Sequence, residues 1–247
     1  MKKLILILGV LCIAVYSDGQ DLNIHTTDGE IFTYNIAGID SITFSIGNGE
    51  MLLDEDFESY PVGTFPSSGG WELMWNGAGN QYQVVTDEFY HSAEKSMQMK
   101  GQPGWSARMI HELEITPDII YLEYWIKSPG SLGIDNDDGG IGLLNQDEGT
   151  WGTYYVQCGF NNTDGQIVCN ILGYGGYQIE TYNHNQWYKF KIKLDFNNES
   201  MDVWINDALK VEGIEGDFTG YDGYKQVAVG ANHGNSIFYY DDIKVWY

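Results

Sequence analysis

The chain has 247 residues, 43% of them hydrophobic and 15% aromatic, with 31 glycines against 5 prolines. That balance suits short strands joined by tight turns and disfavours a helical bundle. The formal net charge of −23 repels phosphate backbones and anionic membranes, so no nucleic-acid partner is expected, and it favours divalent cations and neutral ligands; its plainer meaning is solubility outside the cell.

Residues 1–19, MKKLILILGVLCIAVYSDG, have the anatomy of a secretory signal peptide. Lys2 and Lys3 form the charged start, Leu4 to Val15 the apolar run, and Ser17 and Gly19 are small residues ahead of a cut before Gln20. The run is too short to span a bilayer stably, and no later segment approaches about eighteen apolar residues, so no transmembrane segment is expected in the mature chain. The expected location is secreted, periplasmic or cell-surface. Cys12 lies inside the apolar run behind Leu11, where lipid attachment wants a small residue, so lipidation is the lesser alternative.

Residues 20–47 form a small β lead-in. LNIHT and IFTYNI flank Asp28-Gly29, a strong hairpin signal, and Ile39 to Phe44 has the pattern of a third strand. Gly47 to Gly49 is a plausible joint. From residue 51 to 247 short strands alternate with turn signals, with no sustained helical period, which predicts an all-β domain.

Within that domain Glu112 and Glu114 of HELEI share a face if the stretch is extended. Carboxyls two residues apart lie about 6–7 Å apart by rise, a separation that geometry alone allows for hydrolysis; an exposed strand edge is the plainer reading. In IIYLEYWIK, residues 119–127, Ile120, Leu122, Tyr124 and Ile126 alternate with Tyr121, Glu123, Trp125 and Lys127. The first set is core, and the second combines rings with hydrogen-bonding groups. DNDDGG, residues 135–140, departs from the EF-hand template, with Gly139 where an Asp or Asn belongs and Gln146 at the twelfth position, and is read as a solvated loop.

WGTYYVQCGF, then Asn-Thr-Asp-Gly, then QIVCNIL reads as a hairpin closed at Asn162–Gly165. Its register sets Phe160 opposite Ile167, Cys158 opposite Cys169 and Val156 opposite Ile171, all on one face. Directly opposite cysteines in an exported chain favour a Cys158–Cys169 disulfide over two reduced buried thiols. A second hairpin joins WYKFKIKLDF (187–196) to MDVWIND; pairing Phe196 with Met201 sets Leu194 against Val203 and Lys193 against Trp204.

DEDFESYPVGTFPSSGGW, YLEYWIKSPG, WYKFKIKLDFNNESMDVWIND and FYYDDIKVWY, in that order, resemble concanavalin A-like (laminin-G-like) lectin and glucanase sandwiches. The first and last also resemble jelly-roll carbohydrate-binding modules. The resemblance implies an antiparallel two-sheet jelly-roll sandwich from about residue 51. It also implies a structural calcium ion (Ca2+) shared by acids of the first and last strands, here Glu58 and Asp241. Apart from the resemblance, Asp241 shares the parity of Ile243 and Val245, so its carboxylate points toward the packed face, where a cation or a set of backbone amides must offset its burial.

The two-glutamate, one-aspartate strand of sandwich glucanases is absent from this sequence. The histidines show no zinc spacing, and no serine-nucleophile, phosphate-loop or dinucleotide motif appears, so no catalytic residues are assigned. Binding is the first reading, with a glycan or cell-surface polymer as partner. The candidate ligand residues are Tyr121, Glu123 and Trp125 on one strand, and Tyr155, Gln157 and Asn170 on the cysteine hairpin: rings for sugar C–H faces, amides and carboxylate for hydroxyls. Burial of these rings under loops is the competing expectation. A polysaccharide lyase or glycoside hydrolase, and a structural adhesin with no small ligand, are the alternatives.

Overall fold

The computed structural model describes residues 21–25, 31–35, 49–129, 138–148 and 151–247. The expected signal peptide, Cys12, the expected turn at Asp28-Gly29, Ile39 to Phe44 and the first part of the 135–140 acidic run lie outside the described residues. The chain divides into two compact units between Gly47 and Asn48. In the first, Asp21–His25 and Ile31–Asn35 pair antiparallel, with His25 opposite Ile31.

The second unit is an antiparallel two-sheet sandwich. One sheet of seven strands runs, edge to edge, Gly175–Thr181, Gln166–Ile171, Thr153–Asn161, Asp138–Asn145, Gln226–Ala231, Ala107–Glu112 and Trp71–Asn76. The other sheet follows the order Ala208–Glu215, Ser200–Ile205, Trp187–Asp195, Ile119–Lys127, Ile237–Trp246, Ser96–Lys100 and Val84–Thr86, with Met51–Glu55 also paired to Ile237–Trp246. Period-two alternation supplies the core. Ile120, Leu122, Tyr124 and Ile126 are buried, as are Phe190, Ile192 and Leu194 on the neighbouring strand and Cys158, Phe160, Ile167 and Cys169 from the opposite sheet. Tyr124 crosses between the layers, its ring stacked on Phe190 and its hydroxyl donating to the Cys158 carbonyl at 2.6 Å.

The cysteine hairpin has the predicted register, with Cys158 opposite Cys169 and the two joined in a disulfide, Cα atoms 4.1 Å apart. The 187–205 hairpin keeps its faces but slips by two residues. Leu194 pairs with Met201 and Ile192 with Val203, because the turn begins at Phe196. Asp195 closes that turn by accepting from the Asn198 amide N–H and side-chain Nδ2, and Phe196 leaves the ladder to pack on Tyr155 and Phe218. Lys191, and not Lys193, therefore stands opposite Trp204.

A second departure lies in the strand Ile237–Trp246. Asp242 has a φ of 48° and makes a bulge, so Asp241 pairs with Trp125 on the outer face while Ile243 and Val245 point inward. Strict alternation puts Asp241 with Ile243; the bulge separates them. At this same bulge the strand changes partner on one side, from Ser96–Lys100 to Met51–Glu55. The segment 91–95 hydrogen-bonds to Asp241 near this bulge and to Glu58 just beyond Met51–Glu55.

Candidate functional site

The outer face of the seven-stranded sheet carries a groove of about 350 Å³. Its floor is a single cross-strand row. Val168 stands opposite Gly159, Gly159 opposite Gly140, Gly140 opposite Gly230, Gly230 opposite Arg108, and Arg108 opposite Trp75. Three adjacent strands thus present glycine at the same level, leaving backbone where side chains would otherwise stand. Close strand approach requires two of these glycines: a Cβ at Gly140 would lie 2.3 Å from the Cys158 carbonyl oxygen, and one at Gly159 would lie 2.0 Å from that of Gly139. Gly230 differs, since a Cβ there meets only the Ala107 carbonyl oxygen, at 3.1 Å.

The walls are polar and aromatic. Gln157 and Asn170 stand directly opposite one another and border the groove on one side, with Asn161 and Asn232 on the other. The disulfide lies on the reverse side of the same two strands, so it ties together the segments that hold Gln157 and Asn170.

Arg108 and its rings close one end. The guanidinium carbon lies 3.8 Å from the Trp75 ring centroid and 4.8 Å from that of Tyr154. Nη1 donates to the Trp151 carbonyl at 2.6 Å and to Gln146 Oε1 at 3.4 Å. Burial lowers the Arg108 pKa, opposed by the Tyr154 hydroxyl, and burial raises the Tyr154 pKa, opposed by Arg108. Trp151 meets Trp75 edge-on at 5.5 Å, and a contiguous hollow extends past Trp105 and His233. Trp105 and Trp151 are 43% and 61% exposed, large rings left open to solvent beside a polar floor.

Of the residues chosen from sequence, Gln157 and Asn170 lie in this groove. Tyr155 does not. A β-bulge between Tyr154 and Val156 turns Tyr155 into the core, fully buried against Phe196, Phe218 and Tyr224, while Tyr154 takes the groove face. The Tyr155 hydroxyl donates to Glu148 and accepts the Gly223 N–H at 2.7 Å, and burial raises its pKa.

Tyr121, Glu123 and Trp125 share the outer face of the other sheet, away from the groove, and each already has a protein partner. His91 stacks on Trp125 at 3.5 Å, Lys189 pairs with Glu123 at 3.2 Å, and Tyr121 stacks on Trp246 at 5.4 Å. Lys191 sits among Tyr121, Trp204 and Trp246, 5.2–5.6 Å from each ring centroid. Glu112 ends its strand, accepting from Gln226, and Glu114 lies beyond it, so the two do not share a strand face.

Glu58 and Asp241 reach the same short segment from opposite ends of the domain. Asp241 Oδ2 accepts the N–H groups of His91 and Ser92, and Glu58 Oε1 accepts those of Glu94 and Lys95. Lys95 Nζ donates to the carbonyls of Glu58 and Tyr60. Desolvation, with the neighbouring Asp242 charge, pushes the Asp241 pKa up to about 7 against the opposing pull of those amides. Among the described residues no group of three or more His, Cys, Asp or Glu side chains is arranged to hold a metal, and no helix is long and apolar enough to cross a membrane.

No family model and no curated protein matches the chain. Its fold is similar to that of solved structures. These include a sialidase (TM-score 0.59, 10% identity, 91% of this chain and 21% of that one) and the botulinum neurotoxin serotype D binding domain (0.54, 16%, 79% and 47%). The alginate lyase Aly36B is similar at 0.51 and 12% identity, over 79% of this chain and 96% of the lyase. The chain spans about a fifth of the sialidase and about half of the neurotoxin chain. At these identities the likeness is one of fold.

Proposed function

We propose that the chain is an exported, non-catalytic binding module for a glycan, and that the glycan lies in the groove of the seven-stranded sheet. The glycine row carries this reading. Three glycines without side chains at the centre of the floor, bordered by amides and continued past the exposed rings of Trp105 and Trp151, offer a sugar the flat surface, hydrogen-bond partners and rings that its two-sided chemistry needs. The sandwich shared with a sialidase, a toxin binding domain and an alginate lyase supports the scaffold, and the groove supports the ligand class.

Gly230→Leu tests this reading without removing a contact, because the added side chain would project into the groove. The native protein should bind at least one oligosaccharide on a glycan array, and the variant should lose that binding while its melting temperature stays within a few degrees. Equal binding by a folded variant would place the site elsewhere, and an array with no bound glycan would end the reading.

A structural calcium at Glu58 and Asp241 is a separate proposal. The convergence of both acids on one short segment supports it, although the Lys95 ammonium already holds the nearby Glu58 and Tyr60 carbonyls. Amides now occupy the carboxylates, so the function above is derived without the ion.

A further inference from the structure

Arg108 is a charged side chain only 9% exposed, and none of the ion pairs among the described residues includes it. A buried guanidinium is usually matched by a carboxylate. Here its hydrogen-bond partners are neutral oxygens, and the rings of Trp75 and Tyr154 lie against it. In a protein with 35 acidic residues and 12 basic ones, a cation on a groove wall that pairs with no acid among the described residues is an unusual arrangement. Its hydrogen bonds to Trp151 and Gln146 both leave from Nη1, so a carboxylate would be met by the Nε and Nη2 edge, which can donate two parallel N–H bonds to it.

We propose that the groove selects an acidic sugar, and that Arg108 receives the carboxylate of a uronic-acid residue at the Trp75 end. This rests on the groove reading above and narrows its ligand. Asp138, the carboxylate among the lining residues, stands on the Gly140 strand, two strands from Arg108, so it does not compete at that end. The net charge of −23 opposes approach of an anion at long range, but salt screens that field within about 8 Å at physiological ionic strength. A pair formed inside the groove is screened far less. Added salt should therefore speed association with an acidic oligosaccharide, where a simple surface ion pair would weaken.

The test uses the whole protein and four probes in calorimetry: oligogalacturonate, oligomannuronate, the carboxyl-reduced form of whichever uronate binds, and a sulfated oligosaccharide lacking uronate. The expected result is binding of one uronate oligomer, weakened about ten- to a hundredfold by carboxyl reduction, the scale of losing a charge-assisted bidentate hydrogen bond. Arg108→Lys should lose a similar factor. If that variant fails to fold, the reduced ligand on the native protein still gives the answer. Equal affinity for the uronate and its reduced form would overturn the acidic-sugar assignment while leaving the groove reading intact. Binding of the sulfated probe alone would overturn the carboxylate assignment. Binding of a uronate that survives in folded Gly230→Leu would remove the groove itself.

Discussion

His91 lies flat on Trp125, ring centroids 3.5 Å apart and planes 14° apart, and so occupies an indole face that a sugar would need. Asp242 fixes His91 through its ring Nδ1 at 2.8 Å, and the imidazole also meets Trp187 edge-on. Trp125→Ala should therefore lower stability by about 2 kcal/mol, below the 3–5 typical of a fully enclosed ring because Trp125 is partly exposed. Glycan affinity should change by less than about twofold if the ligand lies on the opposite sheet. Denaturant melts and calorimetry on one preparation check both; a stable variant with lost binding would return the ligand to this face.

Tyr155→Phe makes a complementary prediction. Removing the hydroxyl leaves the Gly223 N–H and the Glu148 carboxylate without this partner, at a cost of about 1–3 kcal/mol. The ring still fills its place among Phe196, Phe218 and Tyr224, so glycan affinity should be unchanged. Urea unfolding alongside a binding titration measures both quantities.

Cys158 and Cys169 should be recovered as one linked peptide in non-reducing digests. Replacing both with serine should cost about 3 kcal/mol, the scale for a loop of this length in the chain-entropy model. Because the bridge ties the strands bearing Gln157 and Asn170, reduction should also weaken glycan binding. A reduced protein of unchanged affinity would show that the hairpin holds its register unaided.

Asp241 gives a pH prediction with a definite sign. Its folded pKa of about 7 lies above the ordinary value of 3.8, so between those limits the native state holds a proton that the unfolded state gives up. Its ionisation therefore costs stability as pH rises from about 4 to about 7. In EGTA, Asp241→Asn should melt above the native protein at pH 8, and that advantage should shrink as pH falls toward 4. Calcium added at pH 8 should raise the melting temperature of the native protein alone if the ion is bound there; identical curves with and without calcium would remove it.

Much of the sandwich is legible in the sequence because alternation is a local property. Ile120 to Ile126 and Phe190 to Leu194 declare their buried faces without reference to any other strand, and Cys158 and Cys169 are set opposite by one short turn. Prediction failed where the backbone adds a residue. The bulges at Tyr155 and Asp242 reverse parity within a strand, and no residue type in those stretches announces them. The groove was half visible. Gln157 and Asn170 are neighbours on one hairpin, whereas Trp75, Arg108, Gly140 and Gly230 come from four separate strands and meet only through sheet order. Three glycines aligned across three strands could be recognised in advance only if that order were known.

The glycine row also bears on the entropy of binding. Side chains lining a binding site lose rotamer freedom when a ligand settles on them, at about 0.5–1.5 kcal/mol for each flexible one. Gly140, Gly159 and Gly230 have no rotamers to lose, and at Gly140 and Gly159 the strands lie too close to admit even a methyl group. The floor is therefore already in its bound form before any ligand arrives. On the proposed function, changes in preference would come from the walls, through Gln157, Asn170, Tyr154 and Arg108, and from Gly230, over Gly140 and Gly159, which stay fixed.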